Sequence, residues 1–284
     1  MRQIMRRCLP IVPITILLLD VGPAHAEETE EWHDWPLGDR SGLIVGGFFA
    51  NLETTVRVDG TDGALGTEIS FERNLGLDDT KTRPVAQAYW RFREHHRLNF
   101  TYLNLNRSGD SVSSVDIRFG DQIFQANLPI QAYFDVEIYN LGYSYSILFD
   151  EKKDWSVGFA LSFQDLGVGL QGTVVGQPLE ISESDSVLAP LPTFTTRFSY
   201  ALTPKWILDT GAGYFTIGVD LGDGRLDGTI VNVSAGLRWK PIERLSLSFV
   251  YKVYDVDVDV EGGRWNWAVD YHYDGPGIFV GAHF

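Results

Sequence analysis

The chain has 284 residues, 23 basic and 38 acidic, giving a formal net charge of −15, and 44% of it is hydrophobic and 13% aromatic. That acidic balance excludes a nucleic-acid binder, which needs a basic footprint, and the single cysteine, Cys8, excludes an internal disulfide. No apolar stretch beyond the first twenty residues is long enough for a membrane-crossing helix, but that test is blind to strands, of which only every second residue meets lipid.

Arg2, Arg6 and Arg7 precede a short apolar run, Leu9 to Leu19, and a small-x-small site, Ala24-His25-Ala26. The run is about half of the ~20 residues that a spanning helix needs. Residues 1–26 therefore read as a cleaved signal peptide, with Cys8 an incidental member of it. A chain starting at Glu27 has 258 residues, 20 basic and 37 acidic, and a net charge of −17. Such a surface attracts cations and suits an exterior facing divalent ions. Residues 27–41 are acidic and show no alternation, so they read as a periplasmic lead-in to a single domain over 42–284.

From residue 42 onward the pattern has period two, which is that of strands. In the first strand, about 42–58, Ile44, Phe48, Ala50, Leu52 and Val56 share one face, and Phe49, Asn51, Glu53, Thr55 and Arg57 share the other. One apolar and one polar face is the pattern of a membrane-barrel wall, which predicts the apolar set outward and Glu53 inward. Four short charged turns follow, at 93–96, 150–154, 203–205 and 240–243, each beside a tryptophan: Trp90, Trp155, Trp206 and Trp239. Tryptophan favours the membrane–water boundary, so the four predict one girdle on the periplasmic side.

Between those turns the strands pair up and down: about 84–93, 97–107, 131–149, 154–171, 191–202, 205–220, 227–240 and 243–257. In the fourth, Tyr139, Leu141, Tyr143, Tyr145, Ile147 and Phe149 are expected to face outward. The tenth, about 265–284, changes phase, because Trp265, Trp267, Val269, Tyr271 and Tyr273 do not alternate with Ile278 and Phe284. A bulge at Gly275-Pro276-Gly277 would restore the phase, placing the upper aromatics in lipid and His272 and Asp270 in the lumen. The expected fold is all-β, a transmembrane antiparallel up-and-down barrel of about ten strands, with eight or twelve as alternatives. Two long loops, 59–83 and 109–130, are expected to carry hairpins projecting above the membrane.

The last seven residues, Ile278-Phe-Val-Gly-Ala-His-Phe284, put Ile278, Val280 and Phe284 on the apolar face of a strand that ends on an aromatic. This ending resembles the C-terminal strand of bacterial outer-membrane β-barrel proteins. The resemblance implies that Ile278, Val280 and Phe284 form an assembly signal in a Gram-negative outer membrane. It also implies as partners the barrel-assembly machinery, outer-membrane lipid and lipopolysaccharide.

The inward residues expected from this phasing are mostly small, among them Gly142, Ser144, Gly158, Gly211, Ser234 and Gly236. Within them sit Glu53, Arg91, Arg197, Asp209, Arg238 and Lys252 as lumen-lining charges. Ten strands leave interior space, which supports porin-like passage of small solutes through a basic belt. The alternative is a non-conducting structural or surface-interaction barrel in which these charges pair into a plug. Asp255, Asp257 and Asp259 alternate at the outer end of the ninth strand; they offer oxygen ligands to divalent cations, although a solvated acidic rim accounts for them better than a metal site. His272, near Asp270 and Asp274, is the remaining candidate for catalysis in a lipid or peptide hydrolase. No Gly-x-Ser-x-Gly elbow accompanies it, so the chain reads as a non-enzyme without a cofactor.

Overall fold

The computed structural model describes residues 31–61, 63–77, 80–174, 180–221, 224–262 and 266–284. The expected signal peptide and Trp265 lie outside them. Ten antiparallel strands form the wall: β1 (Ser41–Val58), β2 (Thr80–Arg93), β3 (His96–Asn104), β4 (Pro129–Phe149), β5 (Lys153–Thr173), β6 (Glu180–Thr203), β7 (Trp206–Leu221), β8 (Gly224–Ile242), β9 (Leu245–Glu261) and β10 (Trp267–His283). Each pairs with the next, and β10 pairs with β1, so the sheet closes on itself and leaves no edge. Backbone bonds in both directions between Ser41 and Phe284 tie the seam.

Four short turns define one end of the barrel, and the two longest connections, 59–79 and 105–128, lie at the other. At the turn end, Trp90, Trp155, Trp206 and Trp239 are all exposed on the outer face, with Trp206 stacked on Trp239 at 6.0 Å. Above them an apolar belt surrounds the wall, including Leu43, Val45, Leu141, Phe159, Val233, Phe249 and Val280. A second aromatic ring follows at its upper margin, with Phe49, Tyr139, Phe163, Phe194, Tyr214 and Tyr251 exposed.

Beyond that ring the polarity of the wall inverts. On β9 the outward residues run Leu245, Leu247, Phe249, Tyr251, Val253 and then Asp255, Asp257, Asp259, while the inward ones become Tyr254, Val256 and Val258. The same exchange occurs on β1 after Phe49, on β4 between Tyr139 and Glu137, and on β5 between Phe163 and Asp165. These strands therefore have two zones, one dressed for lipid and one for water, on an unbroken alternation. In the upper zone the interior is a packed apolar core that includes Leu52, Val56, Phe134, Val136, Val256, Tyr271 and Tyr273.

This inversion corrects three expectations. On β1 the inward set is Phe48, Ala50, Leu52, Thr54 and Val56, and Glu53 lies on the outer face. The sequence pattern gave the two faces without saying which solvent each would meet. On β10 no bulge exists: pairing runs in one register from Leu245↔Ala282 to Val260↔Trp267, and likewise against β1. Trp267, Val269, Tyr271 and Tyr273 are buried inside, and His272 and Asp270 point outward. Gly275 instead permits a close approach, since a Cβ there would stand 2.1 Å from the Phe49 carbonyl oxygen, at φ +151°. A register shift does occur on β4, between Ser146 and Leu148, and it turns Phe149 inward rather than into the belt.

The long loops fold back over the barrel instead of projecting. Ile69–Ser70 pairs with β1, and the helix α1 (Phe71–Leu75) follows, capped by Ser70 and by Gly76 at φ +64°. Phe71 and Leu75 are fully buried, with Phe71 edge-on to Phe134 at 5.7 Å. The hairpin Ile117–Phe119/Gln122–Phe124 likewise buries Ile117, Phe119 and Phe124 in the upper core.

Candidate functional site

The lower zone holds the polar interior, and the strands that build it are those whose belt phase the sequence makes plain. Arg91 on β2 is 1% exposed and is ion-paired to Asp154 at 2.5 Å. Arg91 also donates to the Glu94 carbonyl at 2.6 Å and lies over the Phe149 ring at 4.2 Å. Asp154 in turn accepts from the Ser146 hydroxyl at 2.7 Å. On the opposite wall Arg238 forks onto Asp209, at 2.9 and 2.8 Å, and Ser199 donates to the same carboxylate at 2.6 Å. Bidentate pairs of this kind satisfy two buried charges at once.

Below this layer the lead-in closes the turn end. Trp32 and Leu37 pack with Phe149, Ala201 and Ile207, and Trp35 lies against the same cluster. Lys240 holds the segment through Asp39, at 2.9 Å. The acidic stretch that looked unpatterned in the sequence thus carries two tryptophans, which pack into the barrel mouth.

Above the ion pairs is a cavity of about 360 Å³. Arg97, Arg197, Arg238 and Lys252 line it, together with Asp209, Asn99, Asn232 and Ser234. Beyond Lys252 the interior turns aromatic: its ammonium lies 5.2 Å from the Tyr254 ring, and Tyr254 stacks on Tyr273 at 4.8 Å. Gln164, fully buried, donates to the Tyr254 hydroxyl at 3.1 Å and accepts from Tyr271 at 2.5 Å. Higher still, Glu72 of α1 pairs with Arg107, which also bonds to the Thr54 hydroxyl, and Glu72 accepts from the Thr54 amide at 2.8 Å.

Of the six charges expected in the lumen, Arg91, Arg197, Asp209, Arg238 and Lys252 are there, and Glu53 is not. Tyr89, inward by the parity of its strand, lies in the same interior, as do Arg97 and Asp154, which that reading leaves out. Arg97 faces inward with Asn99 and Thr101, a parity that Leu98, Phe100 and Tyr102 already imply. His283, on the inward face of the last strand, is 1% exposed and links Tyr89 and Ser246, each at 2.7 Å, with Asp39 at 3.5 Å. This Ser–His–Asp grouping is sealed, Ser246 being 3% exposed, so a substrate has no approach to the hydroxyl.

The outer-face candidates form a separate group in the upper zone. His272 faces Asp255 at 2.5 Å and Asp274 at 3.7 Å, and its register partner on β1 is Glu53. The hydrogen bond that the imidazole donates to Asp255, with the surrounding carboxylates, holds its pKa above the usual value. Burial, reinforced by neighbouring carboxylates, raises Asp270 and Asp259. Asp255, Asp257 and Asp259 are successive outward residues on one strand, about 7 Å apart. Among the described residues no three His, Asp or Glu side chains converge as a metal site. Ile278, Val280 and Phe284 are exposed on the belt side of β10.

A closed ten-stranded barrel with an apolar belt between two aromatic rings defines the class: this is the fold of bacterial outer-membrane β-barrels. Among solved structures, the outer-membrane protease OmpT from Escherichia coli is similar over 87% of this chain and 97% of its own, at 9% identity and a TM-score of 0.53. The translocator domain of the autotransporter NalP from Neisseria meningitidis covers 86% and 89% at 11% identity, with a TM-score of 0.45. The toluene transporter TodX from Pseudomonas putida covers 87% and 90% at 9% identity, with a TM-score of 0.35. At these identities the likeness is one of fold. No protein-family model and no curated protein matches the sequence.

Proposed function

We propose that the chain is an integral outer-membrane barrel that does not conduct, and that its working surface is the acidic wall raised above the membrane. One observation carries this reading: side chains fill the interior at both ends. The upper core closes the loop end, and Trp32, Phe149 and the Arg91–Asp154 pair close the turn end. In this reading the belt contacts outer-membrane lipid and lipopolysaccharide. The strand ending in Phe284 is the element offered to the assembly machinery, and the turn end faces the periplasm. The outer carboxylates from Glu53 to Asp274 draw divalent cations, which would bridge to lipopolysaccharide phosphates. The chain acts as a surface-interaction module rather than an enzyme.

Planar-bilayer recording tests the reading. Purified protein that shows heat-modifiable migration should give no channel steps, and steady steps would overturn the plugged barrel. They would favour the second reading, porin-like passage of small solutes, which the cavity beside Gly211 and Ser234 supports. A hydrolase acting through His272 is the remaining reading. The partners the imidazole has are carboxylates, and lipid-A and peptide profiles unchanged by His272→Ala would remove it.

A further inference from the structure

Charges in the lower interior do not balance. Among the described residues Arg91 is matched by Asp154, Arg238 by Asp209 and Lys240 by Asp39, which uses the carboxylates near the cavity. Arg97, Arg197 and Lys252 remain. Arg197 reaches Asp154 only at 3.7 Å, an oxygen already held by Arg91, and its Nε and Nη2 have no hydrogen-bond partner. The Nε of Arg97 is likewise unpartnered, and its guanidinium lies over the Tyr89 ring at 3.7 Å. Among the described residues Lys252 meets no carboxylate; its neighbours are two tyrosine faces.

All three cations line the one cavity. A surplus of three positive charges, inside a barrel that lipid surrounds, lies where uncompensated charge is costly. Unmatched guanidinium N–H groups are also the donors that planar forks use for oxyanions. Asn99, Asn232 and Ser234 add neutral donors on the same lining. The volume suits an ion of phosphate size with several waters, each of which takes about 30 Å³.

We infer that the cavity above the Arg91–Asp154 layer, lined by Arg97, Arg197 and Lys252, is a binding site for a small polyvalent oxyanion of the phosphate or sulfate class, held by those three cations. The ion completes the interior electrostatically. Because both ends are closed, it enters while the barrel assembles or through slow opening of one plug. The site does not depend on the lumen being non-conducting: in an open barrel the same three cations would form an anion station.

The test uses the full chain refolded into detergent with radiolabelled phosphate or sulfate, then freed of unbound ion by gel filtration. Folding is read by heat-modifiable migration. About one labelled ion per folded barrel is expected to be retained. Equilibrium titration of barrel refolded in chloride should show slow, saturable uptake of the same ion. Arg197→Gln and Lys252→Met are each expected to weaken retention at least tenfold, whereas Arg225→Gln, on the outer wall, should leave it unchanged. Absence of retention and of saturable uptake in folded wild-type protein overturns the inference. So does retention that Arg225→Gln reduces as much as the two lumen variants do. If one lumen variant does not fold, the other and the wild-type stoichiometry still decide.

Discussion

Arg91 shows how a single side chain can serve as both an electrostatic and a packing element. Its two terminal nitrogens are held by Asp154, Ser146 and the Glu94 carbonyl, and its plane covers Phe149. Arg91→Met would leave Asp154 buried beside only a distant Arg197. It should cost about 3 kcal/mol in equilibrium unfolding, and Asp154→Asn in the same chain should recover much of that loss. His272 makes a different residue-scale prediction. Its folded pKa is raised, so the stability it contributes is fully present below the unfolded value of about 6.5 and is lost as pH rises through the folded value. Histidine titration followed by NMR should give a midpoint above that of a model imidazole. Asp255→Asn should bring the midpoint down, and an unchanged midpoint would remove Asp255 as the cause.

At the scale of elements, strand β10 is the instructive case. Its upper aromatics looked out of phase with its end, and a bulge at Gly275–Gly277 seemed to be required. The backbone instead runs through without a shift, and the medium on each side changes. Alternation thus located nearly every strand and the belt phase of β4 to β9, because there the outward residues are apolar and the inward ones small. It misassigned β1, including Glu53, because an amphipathic period carries no label for which face meets lipid. A usable cue was present: Leu43 and Val45 lie on the same face as Glu53, so that face is apolar at one end and charged at the other. Arg97 and Asp154 were legible by parity but were overlooked. The lead-in's role was not legible, since Trp32 and Leu37 follow no period. Gly275→Val should destabilise the barrel by about 2 kcal/mol, because the new side chain meets backbone across the β1–β10 seam. The same change at Gly63, where no atom lies within 4 Å of the position a Cβ would take, should lack any clash term and show only the cost of its φ of +77°.

For the whole molecule, the boundary between the two zones predicts where the bilayer ends. On β9 the apolar outward run from Leu245 to Val253 is nine residues, the length that a tilted spanning strand needs, and Asp255 to Glu261 continues for about 20 Å of strand above it. Val233→Arg, in the belt, should cost about 2–4 kcal/mol when the protein folds into lipid vesicles, whereas Thr55→Arg, on the raised wall, should cost about 1 kcal/mol or less. Equal penalties at the two sites would mean that the bilayer reaches higher than the aromatic ring. The inversion of polarity also bears on fidelity of assembly. In an ordinary membrane strand, sliding by one residue exchanges a lipid face for a lumen face once. Here the same slip would push arginines into hydrocarbon at one end while turning Val256 and Tyr271 out into water at the other. Strands such as β1, β9 and β10 are therefore keyed in two solvents at once, and a mispaired intermediate has no end at which it can settle.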